Sequence, residues 1–171
     1  FEVIVTSLIR SIQGVSERIS STAIRELVQA GEMQQACKML GRHFQLRGIV
    51  VAGRDRGGKL LGFPTANLKI EEELCPKTGI YAVTVETRRG VHLGVANIGY
   101  SPTFDDRQFT VEVHLLDFNE AIYGEKIRVN FVKRLRGEIK FGSIQELKHQ
   151  IGKDIEAARR ILMVGSLAGR T

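Results

Sequence analysis

The chain of 171 residues contains no tryptophan, two cysteines and three prolines, and its aromatic content is 6%. Cys37 and Cys75 show no metal-ligand spacing, and two thiols in a chain this long fit a reducing compartment better than a disulfide scaffold. No apolar run approaches the roughly 18 residues that span a bilayer, and no basic-then-apolar leader precedes a small-residue cleavage site. The expectation is a soluble cytoplasmic protein with no membrane partner. The first residue is Phe1, and FEVIV reads as a strand already under way, so the chain is expected to be a fragment and a monomer. What is present is a hydrophobic fraction of 43% and a net charge of +6. That suffices for one well-buried core with an appendage. The charge suits a nucleic acid or an anionic small molecule equally.

Residues 20–40 read as two short helices, with Ser20, Ser21 and Thr22 as cap candidates, Gly31 as a break and Gly41 as a stop. From His43 onward the pattern changes to segments rich in valine, isoleucine, tyrosine and phenylalanine: FQLRGIVVA, GIYAVTVET, HLGVANI, QFTVEVHLLDF and EKIRVNFVKRL. Five or six strands joined mostly by short connections predict an antiparallel sheet closed into a barrel. In SIQELKHQIGKDIEAARRIL, Ser143 and Glu146 have capping-box spacing. Ile144, Leu147, Ile151, Ile155, Ala158 and Leu162 recur at helical intervals, so one stripe is expected to lie on the barrel. The terminal GSLAGRT is expected to fray.

Three stretches carry possible chemistry. In GRDRGGKLLGFPTAN, Gly53, Gly58 and Lys59 satisfy most of a phosphate-loop pattern. Leu60 stands where that motif needs a hydroxyl, and Pro64 opposes the helix that should follow. An ordinary P-loop is thereby excluded, but a glycine-rich loop with a lysine and two arginines survives. Thr65 and Asn67, two apart, share a face of an extended segment and can converge on one oxygen-liking metal ion such as Mg²⁺. A plain hairpin loop followed by an asparagine turn explains the same residues. In FTVEVHLLDF, inward Phe109, Val111, Val113 and Leu115 leave Thr110, Glu112 and His114 on the other face. Glu112 is then a candidate base or a solvated strand carboxylate, and a lone His114 is more often packed or hydrogen-bonded than catalytic. In KRLRGEIKF, residues 133–141 between the last strand and the helix, the alternating bases can guard a strand edge. A nucleic-acid surface would interleave aromatics for stacking, and only Phe131 and Phe141 are near.

Taken together, LGFPTANL, GIYAV, VANIGYSPTF, EVHLLDF, YGE and LRGEIKF resemble bacterial riboflavin kinase domains, in order and at familiar spacing, over about residues 41–160. The preceding ISSTAIRELVQAGEMQQACKMLGRHF resembles the end of the FMN adenylyltransferase module of bifunctional FAD synthetases. The resemblance implies a mainly β fold, a six-stranded antiparallel Greek-key barrel of the split-barrel kind with a C-terminal helix. It divides the chain into an adenylyltransferase remnant at 1–41, a riboflavin kinase domain at 42–165 and a disordered tail at 166–171. It further implies transfer of phosphate from ATP, with Mg²⁺, to riboflavin, giving FMN and ADP without FAD synthesis.

By the same resemblance, Gly53 and Lys59 lie over the ATP phosphates, and Thr65 and Asn67 bind Mg²⁺ and nucleotide. Glu112 is the catalytic carboxylate, Leu115, Asp117 and Tyr123 lie near the adenine nucleotide, and Leu135, Glu138 and Lys140 line the flavin side. Arg54, Asp55 and Arg56 depart from the uncharged run common in this loop. Two other classes stand against this reading: a small basic barrel binding nucleic acid, and a flavin-binding module without catalysis.

Overall fold

The computed structural model describes residues 19–52, 62–70, 74–102 and 107–168. Helix α1 (Ser21–Ala30) is capped by Ser20, whose side chain accepts from the Ala23 amide at 3.1 Å. It stops at Gly31, which takes the left-handed φ of 83° that a side chain disfavours. Helix α2 (Met33–Leu40) stops at Gly41 in the same way, with φ 70°. Both stops fall where the sequence places them.

Six strands follow: β1 (Phe44–Val51), β2 (Ala66–Ile70), β3 (Gly79–Thr87), β4 (Gly90–Pro102), β5 (Arg107–Leu115) and β6 (Lys126–Arg136). They pair antiparallel in a closed barrel of order β1-β2-β5-β4-β3-β6. The run β3-β4-β5 is a meander, and β2 lies beside β5, which is the Greek-key arrangement. Strand β2 is absent from the strands legible in the sequence. It is five residues long, ANLKI, and is held by distant partners, β1 on one side and β5 on the other.

Alternation sends Leu46, Val50, Leu68, Val83, Ile98, Val111, Val113 and Phe131 into one interior cluster. Each fully buried aliphatic of this size contributes about 1.5–3 kcal/mol. Val28, Met33 and Ala36 of the two N-terminal helices are 0–1% exposed and belong to that same cluster, beside Tyr81 and Phe131. The Tyr81 hydroxyl donates to the Lys77 carbonyl, and burial pushes its pKa up to about 12, so it remains a donor. The helix pair therefore shares the barrel's core.

Helix α3 (Ile144–Ala168) crosses the outside of β3, β4 and β6, where Ala158 and Leu162 pack on Ala82, Val95 and Leu135. Its start shows one half of the anticipated capping box, the Glu146 amide donating to Ser143 Oγ at 3.2 Å, while the Glu146 carboxylate accepts from the Gly142 amide, one residue earlier than that motif requires, at 3.1 Å. Two expectations need correction. Ile144 is 56% exposed, because at about 1.5 Å per residue it starts roughly 20 Å before the Ala158 contact. The helix also runs to Ala168, past the expected start of the tail at residue 166; an interior glycine such as Gly165 weakens a helix by about 1 kcal/mol and need not end it.

Residues 133–141 take specific partners. Strand β6 continues to Arg136; its residues 126–131 pair with β1, whereas residues 133–136 pair with β3 alone. Arg136 grips the buried Asp154 of α3, with Nε 3.0 Å from both carboxylate oxygens and Nη2 2.7 Å from Oδ2. Arg134 donates from Nη2 to the Thr78 carbonyl at 2.7 Å.

Candidate active site

Strands β1, β2, β5 and β4 align a row of outward residues. Val51 stands opposite Asn67, Asn67 opposite Glu112, and Glu112 opposite Asn97. Directly opposed side chains in such ladders have Cβ atoms about 4.5–5.5 Å apart, so a carboxylate sits between two amides. The row faces outward because its neighbours Ala66, Leu68, Ala96, Ile98, Val111 and Val113 all point into the core. Glu112 is only partly exposed, and burial raises its carboxyl above the usual range. An outward-facing carboxylate with raised proton affinity is suited to accept a proton from an alcohol.

Thr65 precedes β2 and is partly buried beside this row. Its segment is tied to β5 by His114, whose Nδ1 is 2.8 Å from the Pro64 carbonyl oxygen. The Phe63 ring meets the imidazole edge-on, centroids 5.7 Å apart. Thr65 and Asn67 offer a neutral hydroxyl and an amide oxygen. Among the described residues no group of three His, Cys, Asp or Glu side chains is gathered to hold a metal. Two neutral oxygens fit Mg²⁺ that arrives with phosphate and water, and do not fit a metal held by protein alone.

Next to the row, Gly99 pairs with Thr110, and a Cβ on Gly99 would come within 3.0 Å of Glu138 Oε1. Gly99 thus admits the Glu138 carboxylate against the sheet, one side-chain step of roughly 7 Å along β5 from Glu112. Lys140 is exposed on the same connection. Leu135, by contrast, packs beneath α3.

On the nucleotide side the assignments divide. Gly53 and Lys59 lie outside the described residues, as do Arg54, Asp55 and Arg56. Tyr123 is 64% exposed on a turn bound to the end of β1: the Gly124 amide donates to the Val50 carbonyl at 2.8 Å, and the Val50 amide to the Glu125 carbonyl at 2.9 Å. The buried Glu125 carboxylate holds that turn to the β3–β4 hairpin by accepting from the Arg88 amide and from Arg89 Nη1. Leu115 turns its side chain into the core, leaving only its backbone to face a ligand. Asp117 has a positive φ of 56° and is held by Arg159 of α3 through two bonds of 2.7 Å, which lower its pKa.

Sequence reasoning overlooked Asn97 and the brace made by His114. The signal for Asn97 was the one that exposed Glu112, a polar residue interrupting an apolar strand, here in VANI. No local signal pairs His114 with Pro64, fifty residues away.

The Flavokinase family profile, riboflavin kinase, matches residues 40–162. A bifunctional riboflavin kinase/FMN adenylyltransferase of Bacillus subtilis is 40% identical over 158 residues, 90% of this chain and 50% of that protein. A Haemophilus influenzae protein of the same description is 43% identical over 84% of this chain and 47% of its own. The chain therefore spans about half the length of the curated relatives it matches. Among solved structures, riboflavin kinase from Trypanosoma brucei superposes with a TM-score of 0.52 at 27% identity, covering 71% of this chain and 81% of that one. A Streptococcus pneumoniae protein described as a macrolide-efflux protein superposes with a TM-score of 0.81 at 37% identity, over 87% of this chain and 49% of its own. Among the described residues here, no helix is long and apolar enough to cross a membrane. The family profile, the relatives and the closed barrel with its outward carboxylate lead to one conclusion: the chain belongs to the riboflavin kinase family.

Proposed function

We propose that this chain transfers the γ-phosphoryl group of ATP to the ribityl 5′-hydroxyl of riboflavin, releasing FMN and ADP. The observation that carries the proposal is the row Asn67–Glu112–Asn97, which presents one raised-affinity carboxylate between two neutral amides. Phosphoryl transfer is largely positioning and charge stabilisation. Glu112 aligns the alcohol and accepts its proton, a contribution of about 10²–10⁴-fold. Thr65 and Asn67 supply the oxygens for Mg²⁺, which when bound neutralises charge on the phosphates. Lys59 and the backbone of the glycine-rich loop from Gly53 cover the phosphate oxygens, Tyr123 and the backbone at Leu115 border the nucleotide, and Glu138 and Lys140 border the flavin. Leu135 and Asp117 support that frame through α3. A nucleic-acid role is disfavoured because the polar row offers a carboxylate and amides, not bases interleaved with aromatics.

The test incubates the chain with riboflavin, ATP and Mg²⁺ and separates the products by chromatography. FMN should accumulate in proportion to enzyme and depend on both ATP and metal. FAD should not appear, since residues 1–41 resemble only the end of an adenylyltransferase module. Flavin binding without FMN formation would refute the kinase reading, and enzyme-dependent FAD would refute the assignment of residues 1–41.

A further inference from the structure

The β2–β5 ladder has three pairs, Leu68 with Val111, Asn67 with Glu112 and Ala66 with Val113, and it ends at Ala66. Continued by one step, it would set Thr65 opposite His114. Pro64, just beyond, has no N–H to give to a ladder. At this point the imidazole of His114 takes over, with Nδ1 2.8 Å from the Pro64 carbonyl oxygen and the Phe63 ring against its edge. A carbonyl only accepts, so Nδ1 carries the proton. The bond survives in both the neutral tautomer with Nδ1–H and the imidazolium.

Glu112 and His114 stand two apart on one face of β5, so the strand that presents the base also fastens the segment that presents Thr65. We propose that His114 is a positioning residue for the phosphoryl-transfer site: its bond to Pro64 holds Thr65 in the same frame as Asn67 and Glu112, where metal-bound nucleotide is received. The inference rests on the proposed kinase reading. It assigns His114 no proton transfer.

Two variants separate the bond from the ring. His114→Phe keeps a flat aromatic against Phe63 but loses the donor, and His114→Asn keeps an N–H near the position of Nδ1 but loses the ring. A net hydrogen bond of ordinary strength corresponds to about a 2- to 10-fold change in an equilibrium. His114→Phe should therefore weaken MgADP binding by about that factor in calorimetry and raise KM for MgATP similarly. Metal-free ADP affinity, riboflavin KM and the melting temperature should stay near those of the parent chain, and His114→Asn should retain most of the MgADP affinity. Parent-like MgADP affinity in His114→Phe would overturn the inference, as would equal losses in both variants or equal losses for ADP with and without Mg²⁺. Thr65→Ala run in parallel distinguishes the two levels. If it binds and reacts normally, the site reading itself fails; if it is impaired while His114→Phe is not, only the role of His114 fails.

Discussion

Glu112→Gln should move activity and stability in opposite directions. Glu112 lies partly buried between the amides of Asn67 on β2 and Asn97 on β4, with Thr110 and His114 flanking it on β5. Glu138, over Gly99, is a further carboxylate near this face. Burial raises the proton affinity of Glu112 above that of an ordinary carboxylate. A group whose folded pKa is raised contributes stability below its unfolded pKa, and that contribution is lost as pH rises through the folded pKa. The parent chain thus loses stability from the ordinary carboxylate range upward, and the glutamine variant has no such titration. Without metal, thermal unfolding at neutral pH should therefore show Glu112→Gln at least as stable as the parent. The difference should vanish near pH 4. Turnover should fall by about 10²–10⁴-fold, or roughly 3–5 kcal/mol of barrier, with a much smaller change in riboflavin KM. A variant that turns over normally would remove Glu112 from the chemistry, and one that is destabilised at neutral pH would refute its description as a partly desolvated carboxylate.

Other outcomes follow from neighbouring contacts. Asn97→Asp sets a second carboxylate opposite Glu112, so the acidic limb of the turnover profile should move to higher pH; an unmoved limb would mean that the two side chains do not sense each other. Thr65→Ala and Asn67→Ala should each lower FMN formation by tenfold or more at saturating riboflavin, roughly 1.4 kcal/mol or above, with unchanged circular dichroism; near-normal turnover at saturating MgATP would refute the metal assignment. Met33→Ala, at a site 1% exposed in the barrel cluster, should destabilise the chain by about 2–5 kcal/mol and lower the single unfolding transition as a whole. A separate early transition for the helix pair would show that it does not share the core.

Much of the site was legible because strand alternation is local. With side chains pointing to opposite faces in turn, FTVEVHLL alone sets Val111 and Val113 inward and Glu112 outward, and the same rule puts Thr65 and Asn67 on one face. Caps are local too: Ser20, Gly31, Gly41 and the pair Ser143 and Glu146 act on amides and carbonyls within a turn of themselves. The specific series PTAN and EVHLLDF carried the family. Tertiary structure alone decided what lies across from these residues. Strand β2 exists because β1 and β5 accept its hydrogen bonds, and register brings Asn97 to Glu112 from fifteen residues away along the chain. Of the basic residues that read as edge protection, Arg136 clamps Asp154 and Arg134 lies under Gly31. The helix pair joins the barrel core through Val28, Met33 and Ala36, a burial that depends on barrel residues such as Tyr81 and Phe131 far along the chain. Chemistry lay in residue types at short spacing; the pairing of that chemistry across strands depended on long-range hydrogen bonds and core packing, which no short window of sequence contains.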